Sequence, residues 1–229
     1  MNAKTLLPLF IGFVLLAGCA SPATPAPPLA TMTPTLFLGT QPAPAQTPGA
    51  VTPIPGVTLT SPTTSISICN DQQATALIDS FKTAILNSDG PLLSSLVSTS
   101  RGMDVAFFRD GTVITYTPQH AKFLFETTFE VDWGTEPGSG AAVRGAFHDV
   151  VLPELVETFS QPYTLHCNEL KLGGATYEAD WPYENEFYSV HFPGTAANGN
   201  MDWQTWVMGI ENVNTKPYIY ALIRYFWEP

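Results

Sequence analysis

The sequence predicts an α+β fold, in which N-terminal helices pack on a mainly antiparallel sheet, preceded by a signal peptide and a disordered Pro- and Thr-rich linker. Apolar residues recur at helical spacing in separate segments between Ala74 and Phe159, whereas the last third of the chain carries strand-like apolar runs. Helices first and strands last indicate helices on one face of the sheet. The predicted boundaries are 1–18 for the signal, 19–66 for the linker and 67–229 for one globular domain.

The first residues have the pattern of a secretory signal. Lys4 is the only early charge, and eleven mostly apolar residues, 6–16, follow it. A membrane-spanning helix needs roughly 20 apolar residues, so this run has the length of a signal core instead. The segment Leu16-Ala17-Gly18-Cys19 resembles the lipobox of bacterial lipoproteins. That resemblance implies that Cys19 becomes the mature N-terminus and carries lipid; the alternative is an ordinary signal peptide with a chance cysteine.

The linker contains no charged residue. From Thr5 through Asn70 there is no Asp, Glu, Lys, Arg or His, and Pro, Thr, Ala and Ser dominate residues 20–66. Such a stretch builds no packed core and extends by at most ~3.1 Å per residue, which places the domain on the order of 100 Å from the lipid. One apolar island, Leu36-Phe37-Leu38, is either part of the disordered linker or a contact with the domain or the lipid.

Caps and turns justify the helices and the first hairpin. Asn70 is the predicted N-cap of the first helix, and Pro91 begins the second. Asp110-Gly111 is a strong signal for a two-residue hairpin turn. A Gly-rich loop over 134–145 precedes the last helix, which Pro153 kinks or restarts. The predicted helices cover residues 70–87, 91–97, 117–127 and 147–159.

Apolar runs justify the strands. The two arms of the last hairpin meet at Asn214-Thr215 and are apolar on both faces, which is typical of central strands covered on both sides. The predicted strands cover residues 103–108, 112–116, 163–167, 176–180, 187–192, 202–213 and 216–227.

Two cysteines remain after Cys19. Cys69 and Cys167 are an even pair in a chain predicted to enter an oxidising compartment, so they favour a disulfide that closes a loop of about 100 residues. Two buried free thiols and a nucleophilic Cys167 are the alternatives.

Net charge limits the partners. The domain holds twenty acidic and eight basic residues, a net charge of −12 with His neutral. Nucleic acid and anionic lipid need a basic surface, so we expect no nucleic-acid partner and expect the N-terminal lipid to provide the membrane contact. The expected location is the extracytoplasmic side of the cell membrane or of the outer membrane, and Ala20 after the cysteine favours the outer membrane where there are two.

Three aspartate–tryptophan pairs are the candidate ligand-binding residues. They are Asp132-Trp133, Asp180-Trp181 and Asp202-Trp203, each at the predicted end or start of a strand. Exposed Trp faces stack on sugar rings and neighbouring carboxylates accept hydroxyl hydrogen bonds, so the pairs suggest envelope glycan as a ligand; the alternative is that Trp fills the core while Asp caps turns.

Catalytic and metal motifs are weaker. The histidines His120, His148, His166 and His191 lack metal-site spacing, and no cofactor is predicted. We therefore expect a non-catalytic binding domain for envelope glycan or a protein partner. The alternative is a small enzyme that uses Asp132 or Asp104 with His148 in a cone-like cavity.

Two further resemblances concern the domain. Its element order is similar to that of the cone-shaped nuclear-transport-factor-two-like and cystatin-like folds, which implies a cavity inside a curved sheet. The segments 202–206, 216–218 and 225–229 resemble the closing part of an uncharacterised domain of secreted bacterial proteins, which implies an extracytoplasmic location.

Overall fold

A computed structural model describes residues 67–229, so Cys19, its lipobox and the linker lie outside the described residues. The helices of this part are α1 (Gln72–Asn87), α2 (Gly90–Leu96), α3 (Pro118–Ala121) and α4 (Phe147–Ser160). None of them is long and apolar enough to cross a membrane.

The helices follow the predicted signals with two corrections. Asp71, not Asn70, caps α1, because its carboxylate accepts the Gln73 amide hydrogen, while Asn70 lies in a 3-10 turn. The third helix ends at Ala121 and continues as turns, so it is much shorter than predicted. Helix α4 runs through Pro153, whose missing N–H costs one intrahelical hydrogen bond without ending the helix.

The strands form a mixed six-stranded sheet and a separate hairpin. In the sheet the order is β2-β1-β8-β7-β6-β5, and all neighbours are antiparallel except β1 and β8. The hairpin pairs β3 with β4, so both ends of the stretch predicted as a Gly-rich loop, residues 134–145, belong to strands. The strands are β1 (Met103–Ala106), β2 (Val113–Tyr116), β3 (Val131–Thr135), β4 (Ala142–Gly145), β5 (Thr164–Cys167), β6 (Phe187–Phe192), β7 (Gln204–Val213) and β8 (Lys216–Phe226). The predicted α+β class is confirmed.

One face of the sheet packs against the helices. Phe81 from α1 and Phe159 from α4 meet with ring centroids 5.6 Å apart, and both belong to the same buried cluster as Trp206, Met208 and other side chains of this face. Buried side chains of the helices and of the sheet therefore form one core on this face.

The other face is covered by an extended segment, residues 168–186, which we call the strap. We predicted a strand over 176–180, and that prediction is wrong. Ala175, Tyr177, Ala179 and Trp181 do alternate with exposed residues, but they lie flat on the sheet and pair with no strand. Side chains of the sheet hold the strap instead: Trp203 Nε1 donates to the carbonyl of Gly174 at 3.3 Å.

The two predicted turns differ in outcome. Asn214 and Thr215 have φ values of 51° and 70° and form the tight turn between β7 and β8, as predicted. Asp110-Gly111 does not form a two-residue turn, because β1 ends at Ala106 and six residues separate it from β2. Gly111 serves a close approach instead: a Cβ there would lie 2.5 Å from the carbonyl oxygen of Trp133.

Candidate functional site

The disulfide prediction is confirmed. Cys69 and Cys167 are bonded, with Cα atoms 5.5 Å apart and 98 residues between them in the sequence. The bond joins the N-terminal 3-10 turn to the edge strand β5, where the hydroxyl of Ser67 also donates to Glu186 at 2.5 Å. Neither free thiols nor a nucleophilic Cys167 fits this arrangement.

Trp133 is a core residue. Its ring is 0 % exposed and its Nε1 donates to the carbonyl of Gly145 at 3.1 Å. Asp132 points away and binds Arg144 at 2.9 Å, and the amide of Gly134 together with Arg144 lowers the pKa of the Asp132 carboxyl. The carboxylate thus orders the β3–β4 hairpin, and the Trp face is closed to any ligand.

Trp203 is also enclosed. It is 1 % exposed and lies under the strap, so close to Gly173 that a Cβ there would meet its ring at 2.3 Å. Asp202 accepts hydrogen bonds from Thr195 and Asn198 in the preceding loop. The Thr195 amide makes the largest contribution to lowering the pKa of Asp202 to about 2. Asp202 therefore stabilises this loop through hydrogen bonds.

Trp181 differs from the other two, because its ring is only half-buried. Its Nε1 donates to the carbonyl of Asn185 at 2.9 Å, and its ring lies 4.8 Å from that of Phe187 and 5.0 Å from that of Tyr183. Trp133 therefore lies in the core between the sheet and the helices, whereas Trp181 and Trp203 lie on the side of the sheet that the strap covers. The structure leaves Trp181 as the one member of the set with an accessible edge.

The carboxylate–histidine pair of the enzyme alternative is not brought together. Asp104 accepts from Thr115 at 2.6 Å and from Tyr183 at 3.0 Å, Asp132 binds Arg144, and His148 pairs with its neighbour Asp149 at 3.2 Å. No group of three or more His, Cys, Asp or Glu side chains suited to a metal ion occurs within residues 67–229.

His191 is the histidine with the most unusual surroundings. It is 5 % exposed, and its Nδ1 lies 2.8 Å from the hydroxyl of Thr205. Burial, with smaller contributions from His166 and Lys171, lowers the pKa of His191 to about 4. The ring of His191 lies 6.4 Å from that of His166 and 6.2 Å from that of Trp203.

A groove beside strand β2 is the candidate binding surface. Its volume is about 540 Å³, within the range of small ligand sites. Consecutive residues of a strand point to opposite faces, yet Ile114, Thr115 and Tyr116 all line it, so it runs along the outer edge of β2. We call it the edge groove; its lining residues are Ile114, Thr115, Tyr116, His120, Phe123, Leu124, Thr127 and Phe129.

The edge groove is apolar and uncharged in a strongly acidic domain. No Asp, Glu, Lys or Arg belongs to the lining of this groove in the described part of the chain. Phe123 and Phe129 expose 53 % and 71 % of their surface, and Val113 at the start of β2 exposes 50 %. Apolar side chains in this number beside one groove are typical of a surface that a partner covers.

Local sequence explains why the groove stays open. Thr117 caps α3 and Pro118 begins it, so the chain turns away from β2 instead of adding a strand. Strand β2 therefore pairs only with β1, and within residues 67–229 its outer edge has no strand partner. The sequence does not reveal this site, because Phe123 and Phe129 lie in no motif and only the fold brings them close to Ile114.

No protein family model, no curated protein and no solved structure matches this chain.

Proposed function

We propose that this chain is a lipid-anchored envelope protein with a non-catalytic domain that binds a partner protein through the edge groove. The anchor rests on the lipobox resemblance at Cys19. The disulfide between Cys69 and Cys167 supports an oxidising compartment. The expected location is the extracytoplasmic side of the cell membrane or the outer membrane.

The edge groove is the observation that carries the binding role. Among the described residues the outer edge of strand β2 has no strand partner, so its backbone groups there can pair with an added strand, and the apolar lining can receive alternate side chains of that strand. The absence of charge in the lining favours an uncharged, extended, apolar segment of a partner protein. Envelope glycan is less well supported, because Trp133 and Trp203 are buried.

Photo-crosslinking in intact cells tests this function. A photoreactive amino acid replaces Phe129 in the groove or, as a matched control, Met201, which exposes 54 % of its surface between β6 and β7 and does not line the groove. We expect a discrete crosslinked protein from position 129 and not from position 201. Equal products from both positions would contradict the proposal.

Binding of the identified protein in purified form is the second test. Phe123→Ser together with Phe129→Ser should weaken it at least tenfold, since exposed aromatic anchors dominate such interfaces. Leu86→Ser, an exposed leucine on α1, is the control and should leave the affinity unchanged. An unchanged affinity in the groove variant would exclude the edge groove as the binding surface.

A further inference from the structure

We infer that the occupant of the edge groove is a second copy of this chain, whose β2 strand pairs antiparallel with β2 of the first copy about a two-fold axis. This inference rests on the proposed binding role of the groove and names the partner. Such a contact joins two six-stranded sheets into one continuous sheet. It uses the outer edge of Val113–Tyr116 and the turns that follow α3.

The edge of β2 lacks features that keep exposed strands from pairing with other chains. Natural proteins protect such edges with charged side chains, prolines or bulges. Val113–Tyr116 contains no charge and no proline, and its pairing with β1 keeps a regular register. The opposite edge of the sheet is different, because β5 carries the disulfide from Cys167 to Cys69 and the pair of His166 with Glu169 at 3.2 Å. Pairing between copies is therefore expected at β2.

Strand β2 also has the chemistry that the groove accepts. The lining favours an uncharged, extended, apolar segment, and the half-exposed strand Val113–Tyr116 is such a segment. In an isologous contact each copy supplies both the groove and the strand that enters it, so one surface is used twice. Alternate residues of an edge strand direct their N–H and C=O groups outward, so two four-residue strands form up to about four hydrogen bonds.

Charge favours this face for a contact between copies. Each domain carries twenty acidic and eight basic residues, so two copies repel one another over much of their surface. Between Asp110 and Glu130, however, Lys122 and Glu126 are the only charged residues with His120 neutral, and their charges cancel. A second copy therefore approaches this neutral part of the domain at the least electrostatic cost, whereas a basic partner gains no attraction from the uncharged lining.

The exposed aromatic side chains set the strength of the contact. An aromatic side chain buries roughly 150–250 Å², so the exposed fractions of Phe123 and Phe129 amount to about 500 Å² in a dimer. Stable interfaces bury about 1,200–2,000 Å² in total, so a dimer built on these rings and one short strand belongs to the weak class. We expect a dissociation constant in the micromolar range. In the proposed lipid-anchored form, confinement to one membrane surface raises the effective concentration.

The two-fold axis determines which side chains meet. In an antiparallel ladder a residue whose N–H and C=O point outward lies opposite another such residue. One residue of β2 therefore lies opposite its own copy, and with most of the strand overlapping this residue is Thr115 or Ile114. In the first register Thr115 meets Thr115, and in the second Val113 meets Thr115. Opposite Cβ atoms lie about 4.5–5.5 Å apart, close to the separation that a disulfide spans.

Cysteine crosslinking of the full chain in intact cells tests this inference. Cells produce Thr115→Cys alone, or Val113→Cys and Thr115→Cys chains together; Thr83→Cys, at an exposed threonine on α1, is the control. We expect a covalent dimer from one of the first two, identified by its disulfide-linked peptide, and at least fivefold less from Thr83→Cys. Adding Phe123→Ser and Phe129→Ser should reduce the dimer at least fivefold. No dimer through positions 113 and 115, or an equal yield from position 83, would overturn the inference.

Sedimentation equilibrium of the purified full chain in detergent, without added cysteines, is the second measurement. Its mass should pass from one chain to two through the micromolar range. The Phe123→Ser, Phe129→Ser variant should need at least tenfold higher concentration, whereas Leu86→Ser on α1 should dimerise like the parent chain. A monomeric chain whose Phe129 position still crosslinks to a different protein refutes this inference alone and leaves the proposed function standing. A monomeric chain with no crosslinked product from position 129 refutes both.

Discussion

Removing the disulfide is the sharpest test of how the domain is stabilised. The bond closes a loop of 98 residues between the N-terminal turn and β5. In the chain-entropy model a loop of this length stabilises the folded state by about 4.7 kcal/mol, because the unfolded chain has fewer conformations when crosslinked. Small domains have unfolding free energies of roughly 5–15 kcal/mol, so the Cys69→Ser, Cys167→Ser variant should lose about a third or more of its stability.

Urea unfolding of the two full chains, followed by far-UV circular dichroism, measures that loss. The crosslinked unfolded state is more compact and alters the denaturant slope, so the free energies are compared at one intermediate urea concentration. A difference below about 1 kcal/mol would refute the loop-entropy argument. It would mean that the unfolded chain is already restricted without the bond.

Three further perturbations address the interior. The pKa of His191 is lowered to about 4, so between pH 6.5 and pH 4 the unfolded state binds more protons than the folded state. The free energy of unfolding should therefore fall by up to about 3 kcal/mol as the pH drops through this range. His191→Gln should flatten this part of the stability profile measured by urea unfolding, and an unchanged profile would argue against a buried neutral ring. Gly173→Ala places a Cβ against the ring of Trp203 and should lower the free energy of unfolding by about 1–3 kcal/mol, measured by thermal unfolding. Gly174→Ala, with nothing within 4 Å of its added Cβ, should leave the stability unchanged. Equal effects of the two substitutions would mean that the strap is not closely packed on the sheet. Arg224→Ala removes the guanidinium that lies 2.5 Å from Glu154, while the Gln204 amide still donates to that carboxylate at 2.8 Å. It should cost about 1–3 kcal/mol, more than Arg224→Met, which keeps more of the buried side-chain volume. The reverse order in chemical unfolding would contradict this account.

Local patterns explain what the sequence predicted well. The β7–β8 hairpin follows from two long apolar arms around Asn214-Thr215, since both the periodicity and the turn are encoded by neighbouring residues. The α+β class and the disulfide likewise depend on element order and on cysteine count. These features can be predicted because local sequence and composition determine them without information on tertiary contacts.

Nonlocal contacts explain what the sequence did not predict. The segment predicted as a strand over 176–180 is extended and alternates in burial, but only the fold decides whether such a segment joins a sheet or lies on it. The pairs at Trp133 and Trp203 could have been exposed or buried, since Trp serves both roles. The edge groove joins Ile114 to Phe129 across a turn, and no spacing rule encodes that contact.

The placement of β8 has a consequence for the order in which the domain assembles. This strand, Lys216–Phe226, is the last in the sequence, yet it lies between β1 and β7 and is the sole link between the early and late halves of the sheet. A chain growing from its N-terminus therefore leaves β1–β2 and β5–β7 as separate fragments until residues 216–226 are made. Cooperative folding of the sheet has to wait for β8, and nascent chains that stop before residue 216 should remain substrates for proteases.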